Sequence, residues 1–399
     1  MTQHLSTAEK IVAAIKSCLP MDQGKHPLHE PYFGGNEWRY LKQCIDDGWV
    51  SSAGPFVERF ERELEDFTGI SSAVAVVNGT AALHLCLKLV GVEAGDEVLV
   101  PALTFVATAN AVSYCGAIPH FVDSEWRTLG LDPHKLRDYL VDTVEVHNGN
   151  CFNQKTGRRI RAVVAMHTFG HPVDLDPLLD LCQQFCLELV EDAAESLGSF
   201  YKGRHTGRFG RVAALSFNGN KVITTGGGGA ILTRDDRLAQ LAKHLATTAK
   251  IPHPWEYCHD QLGYNYRLPN INAALGCAQI EQLPTFLEQK RNLARLYKER
   301  FRSIEEVDFI EEPPFARSNY WLNTLLLPEV GEDIREELLS DAHRDGLMLR
   351  PVWKLMHFLP MYQNCPRMDL SVAEAMERRL INIPSSVALG ERNSWQCEK

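Results

Sequence analysis

One lysine stands where covalent chemistry is feasible. Lys221 follows the apolar run 212–217 and precedes four consecutive glycines, 226–229. Glycines carry no Cβ and tolerate positive φ, so the backbone beside this lysine can approach a bulky group closely. A loop lysine by itself would be merely solvated, and its meaning therefore depends on the residues that accompany it.

An acid lies at the end of a second apolar run, upstream of the lysine. Asp192 follows the strand-like residues 188–190, and Glu195 comes three positions later. A strand-end acid, a strand-end lysine and a glycine loop together predict a site for pyridoxal 5′-phosphate (PLP). In such a site the lysine forms a Schiff base with the cofactor, and the acid keeps the pyridine nitrogen protonated.

A helix that opens directly after a strand offers a place for the phosphate group. Gly79 and Thr80 begin this helix, and the free N–H groups and positive dipole end of a helix N-terminus attract phosphate. Ser216 could supply a further hydroxyl group. The chain contains neither GxGxxG nor GxxxxGK[ST], so the sequence does not support a dinucleotide or nucleoside triphosphate site.

Three other residues have alternative interpretations. Phe105 lies at a strand–helix junction, where its ring could stack on a planar cofactor or pack into the core. His167 and His171 resemble a metal-binding pair, but the sequence places no third ligand. We therefore predict no metal site and expect one of these histidines to line the pocket or to form a hydrogen bond.

The chain alternates strand-like and helical segments from 73 to 233, which predicts an α/β fold with a mostly parallel sheet covered by helices on both faces. Ligands bind beyond the carboxyl ends of the strands in such sheets, and the motifs above fall there. Long helices and then short strands follow. We predict an N-terminal helical segment (1–30), a large domain (31–285) and a small C-terminal α+β domain (286–399).

Composition excludes several classes of protein. A formal net charge of −10 without a Lys/Arg-rich block argues against nucleic-acid binding, and no apolar run approaches the roughly 18 residues that span a bilayer. The eleven cysteines form no CxxC pair, which indicates a reducing, cytoplasmic setting. We expect Cys182 and Cys186 to be buried thiols on one helix, and residues 1–19 to form an amphipathic packing or dimer helix rather than a secretory signal.

The chain resembles the sugar aminotransferases of the DegT/DnrJ/EryC1/StrS family, which adopt the fold-type I PLP-dependent (aspartate aminotransferase-like) fold. The resemblance covers roughly residues 28–386. It rests on motifs at 78–80, 104–105, 191–195, 216–229 and 263–267. Within the family, the chain is most similar to the LegC-like branch, which is associated with legionaminic-acid-like sugars. The segments behind this narrower resemblance are 27–31, 48–52, 167–172, 350–353, 368–371 and 382–386.

The resemblance implies a role for each matching residue. Lys221 matches the Schiff-base lysine, Asp192 the acid that pairs with the pyridine nitrogen, and Glu195 a position near the phenolic oxygen of the ring. Some family members carry histidine at the lysine position and are dehydratases; an amine at Lys221 therefore favours amino transfer. The other implied cofactor contacts are the phosphate ligands Gly79, Thr80 and Ser216, the stacking ring of Phe105 and, from the neighbouring subunit, Asn265.

The resemblance also implies a substrate pocket and a shared active site. Arg267 matches the arginine that holds the carboxylate of the amino donor. Arg350 could bind a diphosphate bidentately or form a structural ion pair. Trp353 and His357 complete the substrate-binding residues that we predict. Because Asn265 would reach the neighbouring subunit's site, the expected working unit is a homodimer.

The implied reaction moves an amino group from L-glutamate, leaving 2-oxoglutarate, to a 4-keto-6-deoxy nucleotide sugar. The favoured acceptor is an NDP-2-acetamido-4-keto-hexose, and the product is a 4-amino sugar nucleotide for surface glycans. Two alternatives stay open at this point: a sugar aminotransferase for another keto position, and an idle PLP-fold sensor or scaffold. An idle protein should have lost Lys221, Asp192 or the phosphate site, and the sequence retains all three.

Overall fold

The computed structural model of the chain describes residues 5–20, 24–329 and 332–391. Parts of two sequence predictions therefore lie outside the described residues, namely 1–4 and 21–23 of the N-terminal segment and 330–331 and 392–399 of the small domain. The described helices are α1 Thr7–Ser17, α2 Glu37–Asp46, α3 Pro55–Thr68, α4 Gly79–Leu89, α5 Val106–Tyr114, α6 Pro133–Thr143, α7 Leu175–Phe185, α8 Asp236–Ala246, α9 Asn270–Ile280, α10 Leu283–Phe301, α11 Glu332–Arg344 and α12 Ser371–Arg379.

The strands fall into one large and three small sheets. The first half of the chain contains β1 Ser72–Val76, β2 Glu97–Pro101, β3 Ile118–Val122, β4 Val144–His147, β5 Asn150–Asn153, β6 Arg159–Met166, β7 Glu188–Asp192, β8 Phe200–Tyr201 and β9 Arg204–His205. The second half contains β10 Val212–Ser216, β11 Gly229–Thr233, β12 Lys250–Ile251, β13 Cys258–His259, β14 Asp308–Phe309, β15 Ala316–Arg317, β16 Asn323–Leu326, β17 Arg350–Pro351 and β18 Leu380–Ile383.

The large sheet has the strand order β1-β11-β10-β7-β6-β2-β3. The pairings from β10 to β3 are parallel, and β11 runs antiparallel between β1 and β10. The sequence predicted a mostly parallel sheet, and the fold agrees. The sequence did not predict the reversed direction of β11, because β11 is as apolar as the parallel strands. The change is marked only by the connection 217–228, which contains no crossover helix.

Strand register brings the motif residues to one edge of this sheet. Gly229 pairs with both Val76 and Ser216, so the ends of β1 and β10 meet at the start of β11. Asp192 pairs with Met166 on one side and Ala214 on the other. The carboxyl ends of β1, β10, β7 and β6 therefore form a continuous edge, where ligands bind in open α/β sheets.

Local sequence sets several helix boundaries. Asn78, Asp132 and Asp235 precede α4, α6 and α8, and each side chain accepts a hydrogen bond from a backbone N–H group of the first turn. Such caps satisfy donors that have no partner within the helix. Pro55 and Pro133 occupy first-turn positions, where a missing N–H group costs nothing.

The C-terminal part builds a second core around the sheet β14-β16-β18-β17, together with α1, α10 and α11. Ala8, Ile11 and Ile15 of α1 are fully buried in this core, so the apolar face of α1 packs within the chain. Helix α10 runs through the predicted boundary at 285/286. The division into domains stays a prediction.

The structure separates the two cysteines that the sequence placed on one helix. Cys182 lies buried in α7, but Cys186 ends that helix in a left-handed conformation with φ 55° and is exposed, so the prediction that both thiols are buried was wrong for Cys186. A helix C-terminus favours this conformation, and its terminal side chain turns toward solvent.

Among the described residues, no helix is long and apolar enough to cross a membrane.

Candidate active site

A cavity of about 620 Å³ lies at the carboxyl edge of the large sheet. Its walls come from three parts of the chain: the sheet edge, the segment 27–29, and the C-terminal residues around 321, 350 and 382. Predicted site residues that line it are Gly79, Thr80, Phe105, Asp192, Glu195, Ser216, Lys221, Arg350 and Trp353. The structure thus gathers nine predicted residues from well-separated segments around one space.

Lys221 lies in the turn that follows β10, where its N–H group donates to the carbonyl oxygen of Asn218 over 3.0 Å. Its Nζ lies 3.3 Å from Oε1 of Glu195 and 3.9 Å from the ring centroid of Trp321. The indole is fixed in turn, because its Nε1 donates to the carbonyl oxygen of Asn220 over 2.6 Å. A carboxylate and an aromatic face therefore hold the amine inside the cavity.

Asp192 ends β7 as a buried carboxylate at the floor of the cavity. Its Oδ2 accepts a hydrogen bond from Oγ1 of Thr108 over 2.8 Å, and its Oδ1 accepts one from the N–H group of Ala194 over 3.2 Å. Burial raises its pKa, whereas these two hydrogen bonds and the charge of Lys221 oppose the rise. A cationic ring nitrogen is the partner that such a buried acid lacks.

Glu195 is the second buried acid of the site. Burial raises its pKa to about 7, although the Lys221 ammonium and the N–H group of Phe169, which donates to Oε2 over 2.9 Å, both lower it. Asn319 fixes the backbone by donating to the carbonyl oxygens of Glu195 and Leu197 over 2.9 Å each. Glu195 can therefore exchange a proton near neutral pH at a fixed position beside the lysine.

The start of α4 offers donors that suit an anion. Asn78 accepts a hydrogen bond from the N–H group of Ala81, while the N–H groups of Gly79 and Thr80 have no acceptor within the helix. A Cβ on Gly79 would lie 2.8 Å from Cβ of Ser216, so glycine is required for the close approach of α4 to the hydroxyl of Ser216. Two N–H groups and two hydroxyls thus converge here, as a phosphate requires.

The last glycine after Lys221 has a role that the sequence did not reveal. A Cβ on Gly229 would lie 2.6 Å from the backbone carbon of Asn78. The bulky neighbour at this position is therefore the start of α4, not a ligand. Gly227 and Gly228 do line the cavity, as the sequence predicted for the loop.

Phe105 presents its ring to the cavity and is 49% exposed. Its centroid lies 6.2 Å from that of Trp353. Core packing, the alternative left open by the sequence, does not apply, because half of the side chain remains accessible. A planar ligand could stack on this face; the role of Phe105 stays a prediction.

Of the four residues predicted to bind substrate, two line the cavity and two do not. Arg350 and Trp353 line the cavity, and Arg350 forms no ion pair with any residue that the structure describes. His357 is buried 3.2 Å from Oε1 of Glu374 and does not line the cavity. Burial lowers the pKa of His357, so its place beneath the surface favours a neutral ring with a structural role.

Asn265 and Arg267 also lie away from this cavity. Both are exposed, and Arg267 lines a separate depression together with Glu61 and Lys243. Within one chain neither residue lines the cavity that holds Lys221. This arrangement is the one expected if both residues serve a neighbouring subunit, and that role stays a prediction.

His167 and His171 make no metal pair. Nε2 of His167 lies 3.0 Å from Oε2 of Glu191, and its Nδ1 accepts from the N–H group of Val173 over 3.2 Å. Glu191 also accepts backbone N–H groups of the 207–210 loop, so the pair anchors that loop. Among the described residues, no cluster of three or more His, Cys, Asp or Glu could hold a metal ion.

Sequence reasoning missed Thr108, Trp321 and His29, which also line the cavity. Thr108 lies in the first turn of α5, three residues after the N-cap residue Phe105, a spacing that could have revealed it. Trp321 and His29 come from segments far apart in the chain, and no local pattern marks them. Only the packing of the C-terminal part against the sheet edge brings them to the lysine.

Comparison with known proteins then decides the family. The profile of the DegT/DnrJ/EryC1/StrS aminotransferase family matches residues 31–395. The chain belongs to this family. GDP-perosamine synthase of Escherichia coli O157:H7 is 36% identical over 373 residues, which cover 93% of this chain and 96% of that protein.

A second related sequence and a solved structure agree with this assignment. EpsN of Bacillus subtilis, named provisionally as a pyridoxal phosphate-dependent aminotransferase, is 36% identical over 370 residues, or 91% of this chain and 92% of EpsN. The crystal structure of the aminotransferase TlmJ from Streptoalloteichus hindustanus superposes with a TM-score of 0.82 at 26% identity, covering 92% and 94% of the two chains. The predicted fold, the cofactor and the aminotransferase class are thereby confirmed.

The residues around the cavity fit PLP. The carboxylate of Asp192 suits a protonated ring nitrogen, the start of α4 with Ser216 suits the phosphate, and Nζ of Lys221 is free of any covalent partner on the chain. When bound, the cofactor supplies an electron sink for the carbon that loses a proton. The residues around the cavity would supply the charges and donors that hold the cofactor and the base that moves the proton.

Proposed function

We propose that this aminotransferase moves an amino group from L-glutamate to the keto carbon of a 4-keto-6-deoxy nucleotide sugar, giving a 4-amino sugar nucleotide. The observation that carries the proposal is the position of Nζ of Lys221, 3.3 Å from Glu195 and 3.9 Å from the Trp321 ring centroid, in a cavity that also holds Asp192 and an anion site. An idle scaffold would not need all of these groups together.

In this proposal each residue has a defined task. Lys221 holds the cofactor, and its free amine then moves a proton at Nζ in each half-reaction. Asp192 keeps the ring nitrogen protonated, and Glu195 holds or releases a proton beside the lysine. Gly79, Thr80 and Ser216 fix the phosphate. Two successive half-reactions on one site give ping-pong kinetics.

Two acceptor sugars are consistent with the proposal. Similarity to a GDP-perosamine synthase favours a GDP-linked sugar. The LegC-like segments, of which 27–29 and 350–353 include lining residues, favour an NDP-linked 2-acetamido sugar for a legionaminic-acid-like glycan. Either sugar presents a diphosphate, for which Arg350 offers a guanidinium without an ion-pair partner in the described part of the chain.

An assay with two acceptors tests the function. Purified enzyme with PLP and L-glutamate receives either a GDP-linked 4-keto-6-deoxyhexose or a UDP-linked 2-acetamido-4-keto-6-deoxyhexose, and mass spectrometry follows the product. We expect one acceptor to gain an amino group in place of the keto oxygen, with 2-oxoglutarate released in equal amount. Release of no 2-oxoglutarate with either acceptor would contradict the proposed function.

The active site is proposed to be shared within a homodimer. The segment 250–267, which carries Asn265 and Arg267, also exposes Trp255, Tyr257 and Leu262, each about 80% accessible. Large apolar side chains exposed this far along one segment are typical of an interface. In the dimer, Asn265 would reach the partner's phosphate site and Arg267 the carboxylate of glutamate.

The setting of the enzyme is part of the proposal. The cysteines that the structure describes are all free. Free thiols persist in a reducing compartment, and synthesis from a nucleotide sugar suits the cytoplasm.

A further inference from the structure

A short segment before the large domain carries a histidine into the cavity. The N–H group of His26 donates to the carbonyl oxygen of Gly346 over 2.8 Å, and the carbonyl oxygen of Leu28 accepts from the N–H group of Ser385 over 2.7 Å. The N–H group of Glu30 donates to Oγ of Ser386 over 3.0 Å. These alternating bonds hold residues 26–30 against the C-terminal part.

The prolines of this segment keep it extended. Pro27 and Pro31 each force the preceding residue away from helical conformations. The backbone is therefore fixed both by its own chemistry and by its partners. His29, between the two prolines, lines the cavity at a defined position.

The ring of His29 has buried nitrogen atoms without partners. Both Nδ1 and Nε2 are inaccessible to water, and neither has a hydrogen-bond partner among the residues that the structure describes. Leaving a buried donor and acceptor unpaired costs about 1–3 kcal/mol per group. Such groups at a cavity wall point to a ligand that pairs with them.

The charges around His29 define the kind of ligand. Burial and the neighbouring Lys290 and Lys221 ammonium groups hold the pKa of His29 well below its usual value, so the ring is neutral. A neutral imidazole has one donor and one acceptor, which match a hydroxyl or an amide. A carboxylate or phosphate would instead be bound by cations or several donors, such as Arg350 or the start of α4.

We propose that His29 binds a hydroxyl or acetamido group on the pyranose ring of the acceptor and thereby selects the sugar. This inference rests on the proposed function, since it needs a sugar in the cavity. His29 would touch the acceptor but take no part in the glutamate half-reaction, because glutamate carries no hydroxyl and only charged groups that a neutral ring does not favour.

Separate half-reactions test the assignment. His29→Leu removes both nitrogens at similar volume, and His29→Gln restores a donor and an acceptor. The PLP-loaded enzyme is first mixed with L-glutamate, and the loss of its visible absorbance band is timed. The glutamate-treated enzyme is then mixed with the two acceptors named above, and the return of the band is timed.

We expect His29→Leu to react with glutamate at the wild-type rate and to lose about tenfold to a hundredfold in kcat/KM for the acceptor, with His29→Gln in between. His343→Leu, a change on the exposed side of α11, should leave both half-reactions unchanged. An equal loss in both half-reactions, or no loss with the acceptor, would overturn the assignment. Failure of the wild-type enzyme to react with glutamate would overturn the proposed function instead.

Acceptor analogues that lack one polar substituent at a time give an independent readout that is insensitive to folding. One such analogue should bind wild-type enzyme about tenfold more weakly than the parent sugar, and the same deletion should have no effect on His29→Leu. If every deletion weakens both enzymes alike, His29 contacts no sugar substituent.

Discussion

The hydroxyl of Thr108 donates a hydrogen bond to Oδ2 of Asp192 over 2.8 Å, and both side chains are buried. Oγ1 of Thr108 also lies 2.8 Å from Oγ1 of Thr104, and Oγ1 of Thr104 in turn contacts the sulfur of Met166. The first turn of α5 thus fixes the orientation of the acid at the end of β7. In the proposed mechanism, this orientation determines how the carboxylate meets the ring nitrogen of the cofactor.

Removing the hydroxyl of Thr108 should weaken catalysis without removing the acid. In Thr108→Val the pKa of Asp192 rises further, because a bond that favours the charged form is lost. We expect kcat to fall by about tenfold to a hundredfold, the value of a hydrogen bond to a charged group. Thr108→Ser keeps the hydroxyl and should stay within about threefold of wild type. Equal rates for all three enzymes would contradict this role.

Glu195 should make the stability of the cofactor-free protein depend on pH. Its folded pKa, about 7, lies above the usual 4.5, so the folded state binds more protons between these values. The stabilisation is fully present below about pH 4.5 and is lost as pH rises through 7. Urea unfolding should therefore show that wild type loses stability relative to Glu195→Gln between about pH 5 and pH 8. A wild-type stability that stays constant or rises relative to the variant over this range would refute the shift.

Lys290 should produce the opposite trend at higher pH. It is fully buried, its Nζ donates to the carbonyl oxygens of Trp321 and Ser385, and burial lowers its pKa to about 7. The unfolded chain binds the proton more tightly, so the contribution of Lys290 to stability rises with pH from about 7 to 10.5.

Unfolding of wild type and Lys290→Met at about pH 7 and pH 10 measures this trend. We expect wild type to gain stability relative to the variant as pH rises. Lys298→Met, at a more exposed position of the same helix, serves as the control and should show no such gain over that range. A pH-independent difference for Lys290→Met would show that the amine is solvated.

The proposed shared active site predicts complementation between two inactive variants. If Lys221 of one subunit works with Arg267 of its partner, a mixed dimer of Lys221→Ala and Arg267→Ala contains one site with both residues intact. Co-expression with two affinity tags and purification through both should recover about half of the wild-type activity per dimer. If Arg267 serves its own chain, the mixed dimer stays inactive.

Much of the fold could be predicted because the local signals agree with one another. Apolar runs of strand length alternate with capped helices from 73 to 233, and this alternation is typical of an α/β fold with a mostly parallel sheet. The positions of the strand-end residues, such as Asp192 and Ser216, could be predicted from that fold, since the carboxyl ends of parallel strands meet at one edge. Lys221 could be found because it shares this edge with a glycine loop.

The rest of the site depends on contacts between distant segments. His29 reaches the cavity only because residues 26–30 bind to 346 and 385–386, and Trp321 only because the C-terminal part packs on the sheet edge. His357 shows the reverse case: a histidine near cavity-lining residues in sequence is buried beside Glu374 instead. No periodicity or spacing in the sequence predicts the positions of these three side chains.

Covalent capture at Lys221 tests the central claim most directly. PLP-loaded protein is reduced with borohydride, digested and analysed by mass spectrometry, and a second sample is treated with L-glutamate before reduction. We predict that the cofactor is attached to the peptide containing Lys221 in the first sample and is lost from it in the second, while Lys221→Ala shows no attachment in either. Attachment at another lysine, or attachment at Lys221 that glutamate leaves unchanged, would contradict the account.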